Sequence, residues 1–127
     1  SAASNSSFTQ QLSDTIANNQ AIWANISDFT LDSTIFTSAK YFIEIHRQTD
    51  SGHAFANGEI FLQYFDGAWR LETGGFYGDM EAAPGGGGVS FQVNTSLGVA
   101  QVQYQSSNFA GSNYSGNIKF RRLAFNA

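Results

Sequence analysis

The sequence predicts an all-β fold: an antiparallel, two-sheet β-sandwich, jelly-roll-like, of seven or eight strands, preceded by an N-terminal arm or short helix. Three observations predict it. Short segments alternate apolar and polar residues, as strands with one buried face do. Turn residues recur at intervals of about 8 to 12 residues, which is typical of sandwiches and barrels. No helical pattern of about ten residues or more follows Asn19.

The N-terminal segment, residues 1–19, is predicted to be an arm. It begins with small polar residues, and Phe8, Leu12 and Ile16 then follow at a spacing of four, which would form one apolar stripe on a short helix. Three apolar residues cannot hold an isolated helix in water, so the segment packs on its own domain or on a neighbouring subunit, or forms an extended arm. We expect an interaction arm with these three residues at an assembly interface, and a sandwich domain over residues 20–127.

The first half of the sandwich is predicted to contain four strands. Residues 22–31 and 35–47 form two of them, and the second is central because Tyr41, Ile43 and Ile45 alternate with a mixed face. Residues 48–57 read as a polar loop, followed by a strand over 59–65. Asp66-Gly67 predicts a two-residue hairpin with a return strand over 69–76, since both turn positions need positive φ.

The second half follows a glycine-rich connection over residues 77–88. Its glycines lack the Lys and Ser or Thr that would complete a phosphate-binding loop, so we expect a crossing between the sheets. Three alternating segments come next, which together predict an antiparallel meander. Their inward residues are Val89, Phe91 and Val93, then Val102 and Tyr104, then Ile118 and Phe120.

Composition limits the function classes. The 127 residues carry a formal net charge of −4, which argues against binding nucleic acid through its phosphates. No apolar run approaches the ~20 residues needed to cross a bilayer, so no membrane partner is expected. The absence of cysteine excludes thiolate metal and redox sites. A cluster of Lys119, Arg121 and Arg122 is interpreted as a solvated or salt-bridged edge.

No catalytic, metal or cofactor site is predicted. His46 is expected on the outer face of its strand and His53 in a loop, without a third zinc ligand. Loop carboxylates at Asp50, Asp79 and Glu81 lack the spacing of a calcium loop. Glu44 could face Glu59 or Glu72 across strands, but any acidic sandwich offers such pairs. We therefore expect that the protein is not an enzyme.

Aromatic residues are the richest feature, with 12 phenylalanines, five tyrosines and two tryptophans. Most are expected to fill the core. Trp69, Tyr77 and Tyr114 lie beside predicted loops and are the candidates for ligand-facing residues, because exposed aromatic rings can stack on the apolar faces of sugars. A glycan is therefore one candidate ligand.

Three motifs carry a resemblance to a known family. They are NNQ…NI near the start, GVSF at residues 88–91, and YQSSN…G…GNIKF near the end. With them, residues 16–124 resemble a β-sandwich domain that recurs in fibre-like and head-associated virion proteins of tailed bacteriophages. The resemblance implies a non-enzymatic structural component in a symmetric assembly, and it assigns no catalytic or binding residue.

Two functions follow as hypotheses. Because the domain occupies nearly the whole chain, the first is a capsid decoration or cement protein, which binds the capsid or other virion proteins through residues 1–19 and forms a homo-oligomer, with a trimer favoured. The alternative is a tail-fibre or adhesin-type module that binds a host-surface glycan or receptor. Both place the protein in the virion. A hydrolase is a third hypothesis, which turnover on a substrate panel would support.

Overall fold

The computed structural model describes residues 9–78 and 88–127, and these form nine strands. In chain order they are β1 (Leu12–Thr15), β2 (Ala24–Asp32), β3 (Phe36–Thr49), β4 (Gly52–Phe65), β5 (Ala68–Thr73), β6 (Tyr77–Gly78), β7 (Val89–Ser96), β8 (Val99–Ser106) and β9 (Ser115–Asn126). The described residues contain no helix. Two of the nine, β1 and the two-residue β6, are short strands that the sequence pattern does not predict.

The predicted two-sheet antiparallel sandwich is confirmed. The large sheet has the order β1-β9-β3-β4-β5, with β6 also pairing with β4, and the small sheet has the order β2-β8-β7. β7 and β8 form a hairpin as expected, but the predicted meander is wrong. β9 lies in the large sheet, between β1 and β3. The prediction failed because strand pairing depends on contacts between residues distant in sequence, which local alternation does not reveal.

The core lies between the two sheets. Strand β3 contributes Tyr41, Ile43 and Ile45 to it, in the alternating phase that the sequence predicted. Phe29 of the small sheet stacks on Phe120 of the large sheet with ring centroids 4.3 Å apart. Aromatic pairs of this kind add to the stabilisation from apolar burial, so this contact holds the sheets together.

A bulge in β2 sets which side chains reach that core. Its register against β8 shifts between Asn25 and Thr30, and Asp28 within the shift has φ 63°. As a result Ile26 and Phe29, an odd number of residues apart, are both buried. Gln101 donates from Nε2 to the carbonyl oxygen of Ile26 at 2.9 Å and thereby satisfies a backbone group that the bulge removes from the ladder.

Side chains join the sheets at both open sides. On one side, the backbone N–H of Ser27 donates to Asp14 Oδ2 at 2.8 Å. On the other, the backbone N–H of Trp69 donates to Thr95 Oγ1 and its indole Nε1 donates to the carbonyl oxygen of Gly98, both at 2.9 Å. The edge strands of the large sheet, β1 and β5, are therefore each tied to the small sheet.

Of two local turn predictions, one is wrong and one is confirmed. The polar loop over 48–57 is wrong: β3 and β4 are joined by a two-residue turn at Asp50 and Ser51, with Thr49 paired to Gly52. Residues 52–57 extend β4, and Ala54 and Ala56 are buried on its inward face. The Asp66-Gly67 hairpin is confirmed, with φ values of 54° and 82°.

The N-terminal residues that the structure describes are extended rather than helical. β1 pairs with β9, Thr9 N donates to Arg122 O at 2.9 Å, and Ile16 is buried in the core. At the other end of the chain, Ala127 N donates to Ile35 O at 2.8 Å. No helix long and apolar enough to cross a membrane occurs within residues 9–78 and 88–127.

Candidate functional site

The outer face of the large sheet carries the exposed chemistry. Its side chains come from the even positions of β3 and the odd positions of β4 and β9, and the register sets them side by side in rows. Three rows lie near the β3–β4 turn: Gln48 with His53 and Ser115, His46 with Phe55 and Asn117, and Glu44 with Asn57 and Lys119. The rows at the opposite end are Lys40 with Phe61 and Leu123, and Ser38 with Gln63 and Phe125.

The three rows near the turn form a shallow groove of about 680 Å³, which we call the hairpin-end groove. Its volume is in the range of small-molecule sites. The groove is lined by Glu44, His46, Gln48, His53, Phe55, Asn117 and Lys119.

Three rings cluster in this groove. The His46 ring lies 5.8 Å from the His53 ring in an edge-on arrangement and 6.1 Å from the Phe55 ring, tilted by 53°. Phe55 keeps 40% of its surface exposed. The cluster therefore offers an aromatic surface to solvent beside four ring nitrogens that can donate or accept hydrogen bonds.

The rest of the groove is polar and nearly neutral. Lys119 Nζ lies 3.4 Å from Glu44 Oε2, so these two opposite charges compensate each other. The amides of Gln48 and Asn117 each supply both a donor and an acceptor. The groove thus combines one apolar ring surface with hydrogen-bonding groups of both kinds.

A second groove, of about 630 Å³, lies at the opposite end of the same face and is mostly apolar. It is lined by Ser38, Ala39, Lys40, Phe61, Leu62, Gln63, Leu123, Ala124 and Phe125. Lys40 Nζ lies 3.1 Å from Glu59 Oε2 beside it. The two ends of the face therefore differ in chemistry, although each contains a half-exposed phenylalanine on β4.

The three aromatic residues proposed to face a ligand lie in different places. Trp69 is 4% exposed and belongs to the core. Tyr77 is 75% exposed on β6. Tyr114 is half-buried and donates its hydroxyl to the carbonyl oxygen of Ile16 at 2.8 Å. They do not form one surface, and among them Tyr77 alone presents most of its ring to solvent.

The three residues proposed for an assembly interface, Phe8, Leu12 and Ile16, do not form one exposed surface in the described part of the chain. Leu12 is 40% exposed at the edge of the large sheet, whereas Ile16 is buried. Phe8 lies outside the described residues. Asp79 and Glu81, considered for a calcium loop, lie outside them as well. The part of the chain that the structure describes holds no group of three or more histidine, aspartate and glutamate side chains that could hold a metal ion.

Burial of Arg47 is a feature that the sequence reasoning missed. This side chain is 1% exposed on the inward phase of β3. Its Nη2 donates to Asn18 Oδ1 at 2.9 Å and to the carbonyl oxygen of Ser107, and its Nε donates to the hydroxyl of Tyr114 at 3.0 Å. The guanidinium also lies over the Phe109 ring at 5.3 Å. The only sequence signal is that Arg47 continues the alternation of buried residues.

Asn18 completes this cluster. Its side-chain amide accepts from Phe109 N at 2.8 Å and donates to Phe109 O at 3.2 Å, so it pairs with both backbone groups of one residue. Gln20 N donates to Ser106 Oγ next to it. The NNQ motif therefore contacts the YQSSN motif, and both serve to position the connection between β8 and β9.

Comparisons with known proteins show the fold. No protein-family model and no curated protein sequence matches the chain. The crystal structure of the Acinetobacter phage vB_ApiP_P1 tailspike protein is similar over 92% of this chain, at 10% identity and a TM-score of 0.50. That of the Acinetobacter baumannii phage AM24 tailspike protein is similar over 93%, at 8% identity and a TM-score of 0.40. The chain spans 22% and 26% of the lengths of these tailspikes.

Proposed function

We propose that this chain is a module of a bacteriophage tail-fibre or tailspike-type virion protein and that it binds the host surface. The observation that carries the proposal is the similarity of 92% of the chain to one segment of a phage tailspike protein. The exposed face of the large sheet supports it, since a mixed aromatic and polar surface is typical of a site that meets other molecules.

Capsid decoration through residues 1–19 is the weaker candidate. The structure that the fold resembles at a TM-score of 0.50 is named a tailspike protein. In addition, the described part of the N-terminal segment is engaged with its own sheet, because β1 pairs with β9 and Ile16 lies in the core. Residues 9–19 therefore have little exposed apolar surface that could bind a capsid.

The location in the virion is tested by immunogold labelling. Antibodies raised against the purified chain are applied to intact particles of the phage that encodes it. We expect gold at the tail tip. Label confined to the head would contradict the proposal and restore the decoration hypothesis, and absence of the chain from the mass spectrum of purified particles would exclude both.

Host binding is tested with the labelled chain and flow cytometry on a panel of bacterial strains. We expect binding to some strains and none to others, with competition by surface polysaccharide extracted from a bound strain. Uniform binding, or no binding to any strain that the phage infects, would contradict the proposal.

The proposed activity is binding without catalysis. Two of the three glutamates considered for a hydrolytic pair, Glu44 and Glu59, lie in ion pairs with Lys119 and Lys40 respectively. Extracted polysaccharide should therefore release no new reducing ends on incubation with the chain. We also propose that copies of the chain associate, with a trimer as the favoured state, which sedimentation equilibrium would measure.

A further inference from the structure

We infer that the hairpin-end groove is a saccharide site for a neutral glycan unit of one or two hexose rings, with Phe55 as its stacking surface. The inference deepens the proposed function and rests on it for one point, the host-surface origin of the saccharide.

Phe55 provides the stacking surface of the site. A hexose ring presents axial C–H groups on one face, and an exposed aromatic ring that is held in place can cover that face. Phe55 is held because it is paired with His46 in the ladder between β3 and β4, and its ring contacts the His46 ring. With 40% of its surface exposed, it retains enough open ring for one sugar.

The rim of the groove supplies hydrogen-bonding groups. Each sugar hydroxyl both donates and accepts, so a site for it needs groups of both kinds close to the stacking ring. The amides of Gln48 and Asn117 and the imidazoles of His46 and His53 meet that requirement, and all four line the groove. They stand on β3, β4 and β9, so the sheet fixes their spacing.

The groove is poorly suited to ligands of other chemical classes. A phosphate or polyanion needs several cations, but the one lysine in the groove is paired with Glu44. A metal ion needs a set of ligands that residues 9–78 and 88–127 do not assemble. An apolar ligand would leave the polar rim unsatisfied. A neutral polyhydroxylated ring with one apolar face satisfies both the ring and the rim.

Phe61 supplies a matched control for the test. It lies on the same strand and the same face as Phe55, with 41% exposure against 40%, but in the opposite groove. Replacing either ring by alanine removes the same amount of apolar surface. A difference between the two variants therefore reports on the groove rather than on loss of a surface phenylalanine.

The experiment is a ¹⁵N-HSQC titration of the full chain with glucose, galactose, mannose, N-acetylglucosamine, lactose and chitobiose. We expect at least one of these sugars to shift amides of residues 44–55 and 115–119, with a Kd of about 1 mM, the strength of one stacked ring and a few exposed hydrogen bonds. Phe55→Ala should weaken that Kd by about tenfold, and Phe61→Ala by less than about twofold.

Several outcomes would overturn the site. They are no shift with any of the six sugars, shifts confined to the opposite groove, or equal losses in the two variants. Asn117→Ala, which keeps both phenylalanines, should also weaken sugar binding. This variant replaces Phe55→Ala in the test if Phe55→Ala does not fold. Failure of the site and failure of the proposed function are distinguishable. If cells bind the Phe55→Ala variant as tightly as they bind the parent protein, the proposed site is wrong but the proposed function stands. If a sugar binds in the groove but the protein binds no cells, the proposed function is wrong but the site stands.

Discussion

Arg47 donates a hydrogen bond from Nη2 to Asn18 Oδ1 at 2.9 Å, across 29 residues of sequence. The same amide of Asn18 pairs with the backbone of Phe109, so one buried arginine links the N-terminal segment to the β8–β9 connection. Buried hydrogen bonds from a charged donor contribute more than neutral ones, and their loss leaves acceptors unsatisfied.

Arg47→Met should lower the free energy of unfolding by about 2 to 4 kcal/mol, because the hydroxyl of Tyr114 and the carbonyl of Ser107 lose their donor. Urea unfolding followed by circular dichroism measures this. Arg70→Met, at an exposed arginine over the Phe65 ring, is the control and should change stability by less than about 0.5 kcal/mol. Equal stability of the Arg47 variant and the parent would show that the cluster is not structural.

Tyr41 makes stability depend on alkaline pH. Its hydroxyl is buried and makes no hydrogen bond to any described residue, and burial raises its pKa to about 12 against the opposing effect of Arg122. The unfolded tyrosine ionises near a pKa of about 10, so ionisation favours the unfolded state between these two values. The stabilisation is therefore complete below about pH 10 and is lost as the pH rises toward about 12.

Tyr41→Phe should remove this dependence. At neutral pH we expect its stability to equal that of the parent or to exceed it by up to about 1 kcal/mol, since an unsatisfied hydroxyl is deleted. Between about pH 9 and about pH 11 the parent should lose about 1.4 kcal/mol more than the variant. Urea unfolding of both proteins at the two pH values gives the comparison. Parallel losses would mean that Tyr41 is not the responsible group.

Leu97 occupies a turn position that suits it poorly. It is 100% exposed with φ 51° and precedes Gly98 in the two-residue turn between β7 and β8. Leu97→Asn should raise the free energy of unfolding by about 0.5 to 1 kcal/mol, because asparagine tolerates positive φ and no packing is lost. The measurement is a rise in the melting temperature. Ile22→Asn is the control at a 78% exposed residue outside the strands, and it should bring no gain. Equal gains in both variants would show that replacing an exposed apolar side chain by an amide, and not the backbone conformation at residue 97, is responsible.

Trp69 should behave as a core residue. Trp69→Phe deletes the Nε1 hydrogen bond to Gly98 and part of the packing between the sheets, so it should cost about 1 to 3 kcal/mol of unfolding free energy. Tyr77→Phe, at an exposed ring, is the control and should be neutral. A neutral Trp69→Phe variant that loses host binding would instead indicate that this side chain reaches a ligand.

Local patterns predicted the parts of the fold that depend on local physics. The inward phase of β3 follows from alternation at Tyr41, Ile43 and Ile45, and the Asp66-Gly67 turn follows from the need for positive φ. The β2 bulge was not predictable, because its register shift moves residues between faces without a proline or glycine to mark it. The alternating pattern likewise does not show which strands pair, and for this reason β9 was predicted in the wrong sheet.

The candidate groove was beyond sequence reasoning for a related reason. Its side chains have even numbers on β3 and odd numbers on β4 and β9, so they meet only once the register of both strand pairs is known. His53 was assigned to a loop, which removed it from the neighbourhood of His46. Arg47 was overlooked because a charged residue at an inward position is rare unless its hydrogen bonds are satisfied.

The backbone contacts of Thr9 with Arg122 and of Ala127 with Ile35 have a practical consequence. The contact of Ala127 with Ile35 lies at the end of the sandwich where β3 begins, whereas Arg122 is level with Tyr41. Gln48 lies 13 residues beyond Ile35 in the chain, a span of about 43 Å for an extended strand. A biotin group attached at Ala127 would therefore anchor the protein to a sensor chip with the hairpin-end groove at the far end of the sandwich, exposed to sugars in the flowing solution.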